Sequence, residues 1–247
     1  MKKLYEKSEL SFALLWIAVY CVGQLMLSPI SRIIGIKGSA RMVFNAALSI
    51  IFFIWIWKNG LLEQYGLCRA KFPARKFLWY LPLAVLISLN LWNGIAIHFP
   101  LADTICTVCY KFFIGVVEEV LFRGFLFKAI AKKNNVKQAV VISSVTFGLG
   151  HLLNLLNGTG LVANLCQVFM AIAIGFLFVT IFYRGESLIP CIITHSGIDM
   201  AGVFSNDASL TDQRRILLIM IPFVISVLYT LILVRTLPEP ETQQTRK

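Results

Sequence analysis

Apolar residues run through this chain in eight long stretches, near 10 to 30, 42 to 57, 77 to 98, 105 to 130, 138 to 156, 161 to 183, 188 to 205 and 216 to 234. A helix of about 20 apolar residues crosses the hydrocarbon core of a bilayer, and in lipid a helix satisfies its own backbone N–H and C=O groups. The pattern therefore predicts an all-α, polytopic membrane bundle of about eight transmembrane helices. No internal repeat, low-complexity tract or soluble domain interrupts it, so residues 1–247 read as one integral membrane domain. The tail PEPETQQTRK is too polar and short to fold alone. Lys2, Lys3 and Lys7 before the first apolar run mimic a signal peptide, but that run is too long for one and lacks a small-x-small cleavage site. It reads as a retained first span.

Charge refines this picture. The basic residues cluster between spans, at Arg32, Lys37 and Arg41, at Lys58, Arg69, Lys71, Arg75 and Lys76, at Lys128, Lys132, Lys133 and Lys137, and at Arg184 and Arg235. The connections near 99 to 104, 157 to 160 and 206 to 213 carry neither Lys nor Arg. Placing the basic connections inside makes both termini cytoplasmic. The connection 31 to 41 breaks the rule, since eight spans put its three cations outside. The segment KNGLLEQYGLCRAKFPARK, 58 to 76, reads as a basic loop, with contact to anionic lipid as the other reading.

Composition agrees: 58% of residues are hydrophobic and 14% charged, and the mean hydropathy is +0.78. The net charge of +11 comes from short inter-span clusters, which fits cytoplasmic loops and argues against nucleic acid. The six cysteines are scattered, and Cys106 and Cys109 form a CxxC that no second cysteine pair or nearby histidine completes into a zinc site.

The candidate chemistry lies where polar residues interrupt apolar stretches. In VVEEVLFRG, Glu118, Glu119 and Arg123 sit among Phe and Val, where an ionisable group is expensive unless it pairs, lines a cavity or acts. On a helix Glu119 and Arg123 pair at i, i+4, while Glu118 points about 100° away and stays free. TFGLGHLLN contributes His151, with Phe147 four residues before and Asn154 three after. THSGIDMAG contributes His195 and Asp199, again at i, i+4 on one face. His98, at a span end beside Pro100, reads as interfacial.

Depth brings these groups together. Glu118 lies 14 residues before Lys132, His151 lies 14 after Lys137, and His195 and Asp199 lie 11 and 15 after Arg184. At 1.5 Å per residue all four fall roughly 17 to 23 Å from the basic end. Each piece alone has a structural explanation: a core histidine, a packing ion pair, an Asp orienting its His. Together they supply a general base with ligands or donors able to hold and polarise a water. His, Glu and Asp also suit zinc, although HExxH is absent. Ser196 beside His195 makes no catalytic triad, because i, i+1 neighbours diverge on a helix.

Glu118-Glu119-x-x-x-Arg123, Phe147-x-x-x-His151 and His195-x-x-x-Asp199, in that order on separate spans, resemble the three motifs of the CPBP intramembrane proteases. This family, also called Abi or CAAX-protease-like, includes the eukaryotic prenyl-protein endopeptidase Rce1 and many bacterial membrane proteins, some linked to bacteriocin immunity. The match covers about residues 105–205, which become the CPBP-like catalytic core. The resemblance implies an intramembrane endopeptidase that hydrolyses a peptide bond in a hydrophobic or membrane-tethered substrate. It makes Glu118 the general base, Glu119 with Arg123 its support, and His151 and His195 the groups that bind the water or a metal and steady the oxyanion. The prenyl protease ends its last motif in Asn, and the family pattern admits either Asn or Asp. Asp199 shifts the balance from oxyanion donation towards metal binding or orientation of a His. Glu118, His151, His195 and Asp199 are thus the candidate zinc ligands, and a metal-free glutamate mechanism is the other reading.

The expected setting is a bacterial cell membrane, with the lipid bilayer and a hydrophobic peptide as partners and no nucleic acid. A non-catalytic immunity or scaffold protein, in which the same polar residues only hold helices together, is the alternative. A proton-coupled transporter is less well supported, since no matched repeats or broken helix pairs are visible.

Overall fold

The computed structural model describes residues 1–133, 135–156, 158–206 and 212–240, with the side chains of 212–217 excepted. The expected polar tail from 241 onward and part of the connection 206 to 213 lie outside the described residues. The protein is a bundle of helices: α1 (Lys2–Lys7), α2 (Glu9–Ile34), α3 (Ser39–Lys58), α4 (Leu81–Ser88), α5 (Leu101–Glu119), α6 (Lys128–Lys133), α7 (Val136–Gly150), α8 (Leu161–Gly185), α9 (Ile189–Gly202) and α10 (Asp212–Thr236). A π-helical stretch, Val120–Phe127, joins α5 to α6, so the rod runs unbroken from Leu101 to Lys133.

Among the described residues, five helical segments are long and apolar enough to cross a membrane: Glu9–Ile34, Ser39–Lys58, Val136–Leu155, Leu161–Gly185 and Leu218–Thr236. Their outer faces are greasy, as at Ile33, Val22 and Leu228, which suits lipid as solvent. Buried Asn45, Glu119, Arg123, Asn164 and His195 lie inside. The protein is therefore a multi-pass membrane protein.

Two expected spans are built differently. The stretch 77 to 98 is no single helix. Its backbone turns through left-handed conformations at Leu78, Trp79 and Tyr80 (φ 51°, 55° and 58°), α4 then lasts only 8 residues, and Gly94 (φ 98°) ends the helical path. Buried Phe77 holds the first turn, stacking on Tyr80 at 5.0 Å and accepting a 2.6 Å hydrogen bond from the Tyr229 hydroxyl. Beyond Gly94 the chain is extended, Ile95 bridging to Ser205. The stretch 188 to 205 gives α9, whose 14 residues span about 21 Å, short of the hydrocarbon thickness. α4 and α9 pack on one another.

Without a hydrophobic drive between helices in lipid, close packing and polar contacts must hold the bundle. Small residues permit the closest approaches. A Cβ on Gly115 of α5 would lie 2.6 Å from the Ser196 backbone nitrogen of α9, and one on Gly175 of α8 would lie 3.1 Å from the backbone of Ser144 on α7. Aromatic rings fill the other side: Phe12, Phe52, Trp55 and Tyr65 surround Phe125, with centroids 5.0 to 5.9 Å from it. This cluster clamps α2 and α3 onto the π stretch. Phe12 is two helical turns from Tyr20, so the same face of α2 carries Tyr20 towards the middle of the bundle.

The expected basic loop 58 to 76 is tied to the α8–α9 connection. Gly66 carbonyl accepts from Leu188 N–H at 2.7 Å, Cys68 carbonyl accepts from the Ser187 hydroxyl at 2.6 Å, and Lys71 pairs with Glu186 at 3.1 Å.

Candidate active site

Glu118 and Glu119 close the last turn of α5, and their side chains part as adjacent helical residues must. Glu119 turns inward. It and Arg123 are both 0% exposed, and their Oε1 and Nη1 atoms meet at 2.8 Å. Burying such a pair is costly unless the geometry is good and the remaining polar atoms are satisfied. Here Glu119 Oε2 and Arg123 Nε and Nη2 find no hydrogen-bond partner among the described residues. The guanidinium instead lies 4.0 Å over the Phe147 ring and 5.5 Å from the Phe178 ring, a cation–π setting that offsets part of the desolvation.

Glu119 Oε1 also receives Nδ1 of His195 at 2.8 Å. A carboxylate only accepts, so Nδ1 carries the proton and Nε2 is aimed the other way, 3.5 Å from Glu118 Oε2. The ring is fixed edge-on to Phe147, 5.6 Å between centroids. Glu118 is bound on its other oxygen by the Tyr20 hydroxyl of α2. It keeps 14% of its side chain exposed, towards a cavity of about 120 Å³. That volume admits several waters beside polar walls.

Glu118, His151, His195 and Asp199 all line this cavity, together with Phe147. The four side chains matched by depth thus share one space, whereas Glu119 and Arg123 stand behind its wall. His151 sits where α7 tightens into a 3-10 turn, His151–Leu155. Its Nδ1 is 3.3 Å from the Phe147 carbonyl, and its own carbonyl accepts from Asn164 Nδ2 at 2.8 Å. Asn154 is drawn to Gln167 of α8 at 3.0 Å. His98 lies apart, bonded to the Ser205 carbonyl at 2.8 Å, and Ser196 donates to the Phe112 carbonyl at 2.9 Å.

Asp199 does not bond His195. Lys111 of α5 takes it, Nζ to Oδ2 at 3.1 Å. Lys111, Tyr20 and Arg41 all line the cavity, and none was among the expected site residues. Lys111 was nevertheless visible, as a cation in an apolar stretch two helical turns before Glu118 on the same face. Tyr20 and Arg41 come from α2 and α3, and no local spacing points to them.

A zinc ion needs three or more protein donors converging on one point. Among the described residues no three His, Cys, Asp or Glu side chains do so. His195 spends Nδ1 on Glu119, and Asp199 is held by Lys111. The donor set in this arrangement does not fit a metal.

Fold and site define a multi-pass membrane protein with a carboxylate–imidazole centre inside its bundle. Residues 100–201 match the family described as Type II CAAX prenyl endopeptidase Rce1-like. The matched stretch is similar to that family and covers all three motifs up to Asp199. No curated protein and no solved structure matches the chain.

Proposed function

We propose that the protein is an intramembrane endopeptidase that cleaves a hydrophobic or membrane-associated peptide with a water activated by Glu118. The observation that supports this reading most is the partition of the two carboxylates. Glu119 is locked behind the wall, while Glu118 faces the cavity with one oxygen on Tyr20 and the other near His195. The similarity of residues 100–201 to the Rce1-like endopeptidase family supports the same reading.

In the step that follows, the oxygen of a cavity water bonds to the scissile carbonyl carbon while Glu118 takes its proton. His151, its Nδ1 proton held by the Phe147 carbonyl, offers Nε2 as a second acceptor that orients the water. With its own proton held at Nδ1 by Glu119, His195 turns the Nε2 lone pair towards Glu118 Oε2 at 3.5 Å, beside the proton that Glu118 takes up. Collapse of the tetrahedral intermediate breaks the C–N bond, and Glu118 returns its proton to the leaving amine. Glu119 and Arg123 act through His195: they fix its tautomer and ring plane and bear no reacting atom.

The test is turnover of a quenched apolar peptide library by protein in nanodiscs. Glu118→Gln should lose on the order of 10²–10⁴-fold in rate while its unfolding midpoint stays close to wild type. Undiminished turnover removes Glu118 as the base. Wild-type cleavage should persist after exhaustive chelation. Loss that zinc restores would instead make His151 and its neighbours ligands.

A further inference from the structure

At rest the formal charges on the cavity wall balance, Glu118 and Asp199 against Lys111 and Arg41. Hydrolysis moves one of them. As the water oxygen bonds to the scissile carbonyl carbon, its proton goes to Glu118 and the C=O electron pair moves onto the carbonyl oxygen, so a negative charge leaves the carboxylate and appears on the substrate. A donor already in place at that oxygen carries much of the rate.

The imidazoles do not supply it. A neutral ring has one N–H; His195 gives its own to Glu119 at 2.8 Å and His151 to the Phe147 carbonyl at 3.3 Å. The Tyr20 hydroxyl is taken by Glu118, and Asp199, as a carboxylate, only accepts. Lys111 differs from all of these. Its ammonium has three N–H donors, and among the described residues it makes one hydrogen bond, to Asp199 Oδ2 at 3.1 Å. Its side chain keeps 34% of its surface exposed on the cavity wall, which leaves two donors for what enters.

Its position is set by the two helices that carry the reacting groups. Lys111 lies two turns before Glu118 on α5, and Asp199 lies one turn beyond His195 on α9. A lysine on its four-carbon stem is flexible, and the bond to Asp199 fixes it before substrate arrives. The other cation on the wall, Arg41, comes from α3 and lies 4.6 Å from the ring centroid of Tyr110, with no tie to α9 among the described residues.

We infer that Lys111 binds the oxyanion: with one N–H held by Asp199, it donates another to the tetrahedral oxygen, so the charge released by Glu118 comes to rest beside a cation. Lys111 is then a catalytic residue and Asp199 its positioning residue, an assignment that rests on the endopeptidase reading for the reaction itself. When the C–N bond breaks, the oxygen re-forms the C=O bond and the proton on Glu118 passes to the amine nitrogen. Lys111 loses no proton at any step.

Two readouts test this on the full chain in zwitterionic nanodiscs: kcat and KM for the quenched apolar peptides, and binding, by fluorine NMR, of an apolar peptide trifluoromethyl ketone, whose hydrate is tetrahedral, against the matching secondary alcohol. The variant Lys111→Met/Asp199→Leu exchanges the ion pair for apolar groups, a replacement that is often neutral for stability, and its unfolding midpoint checks the fold. Its kcat should fall on the order of 10²–10³-fold with KM little changed, and Lys111→Arg should keep part of the rate. Wild type should prefer ketone to alcohol about tenfold, and the double variant should show no preference. Wild-type kcat in the double variant would overturn the inference, leaving Lys111 as no more than the counterion of Asp199. Equal binding of ketone and alcohol to wild type would overturn it too, as would a preference lost in Arg41→Gln and kept in the double variant. A ketone preference that depends on Lys111 in a protein that cleaves nothing would sustain the inference and count against the endopeptidase reading, and cleavage indifferent to Lys111 would do the reverse.

Discussion

Glu118 and Glu119 are neighbours in sequence and belong to different worlds. Glu119 lives in a dry compartment of Arg123, His195, Phe147 and Phe178, fully buried and with polar atoms left unpartnered. Glu118 lives at a cavity with room for several waters, with Tyr20, His151 and Lys111 on the walls around it. The chemistry of the side chains is identical, so the difference comes from a rotation of about 100° along the helix. That rotation makes one carboxylate a structural anchor and frees the other to exchange protons.

The contrast can be attacked from both sides. The largest effect expected is the rate loss of Glu118→Gln without loss of fold, which places Glu118 on the chemical side. Next, Arg123→Ala should cost about 3–5 kcal/mol by stranding Glu119 in the dry compartment. Unfolding in detergent reads this directly, and an unchanged midpoint would mean that the pair is no anchor. Gly115→Ala pushes α5 from α9 at the Ser196 backbone and should cost about 1–3 kcal/mol. Because the two helices carry Glu118 and His195, activity should fall further than stability alone explains, and a loss of stability with full activity would uncouple packing from the site. Smallest is Tyr20→Phe, which removes one hydrogen bond from Glu118. A decrease of up to about tenfold in rate, about 0.5–1.5 kcal/mol, with unaltered stability would show the hydroxyl tuning Glu118. No change would leave His195 as its sole effective partner.

How much of this was legible in the chain follows from what each signal encodes. The Glu119–Arg123 pair was readable because i, i+4 spacing is a local property of any helical backbone, and it survives at 2.8 Å even where the helix passes into π geometry. The meeting of Glu118, His151, His195 and Asp199 was readable because span ends fix depth. Hydropathy, by contrast, sees solvent preference and not backbone course, so 77 to 98 looked like one more span although its chain breaks at Leu78–Tyr80 and again at Gly94. The partner of Asp199 is Lys111, a cation alone in an apolar run, whereas i, i+4 spacing pointed only to His195. Tyr20 and Arg41 depend on how α2 and α3 lean on α5, which no spacing within one segment records. The π stretch left no periodic trace, since Val120–Phe127 is buried all round.

That π stretch has a consequence for how the protein can vary. A wider turn advances each residue by a smaller angle round the axis than an α-helix does, so the direction in which Glu118 points and the direction in which Lys128–Lys133 points are set by separate clocks on one rod. Loss of a single residue inside Val120–Phe127 would let the rod rewind into ordinary α geometry. The chain would stay as greasy and as long to within one residue, yet the carboxylate would be dialled away from its cavity. Point substitutions strike packing and pairing but leave that dial alone, whereas insertions and deletions turn it, so a change of length there reaches the site even where no side chain is lost.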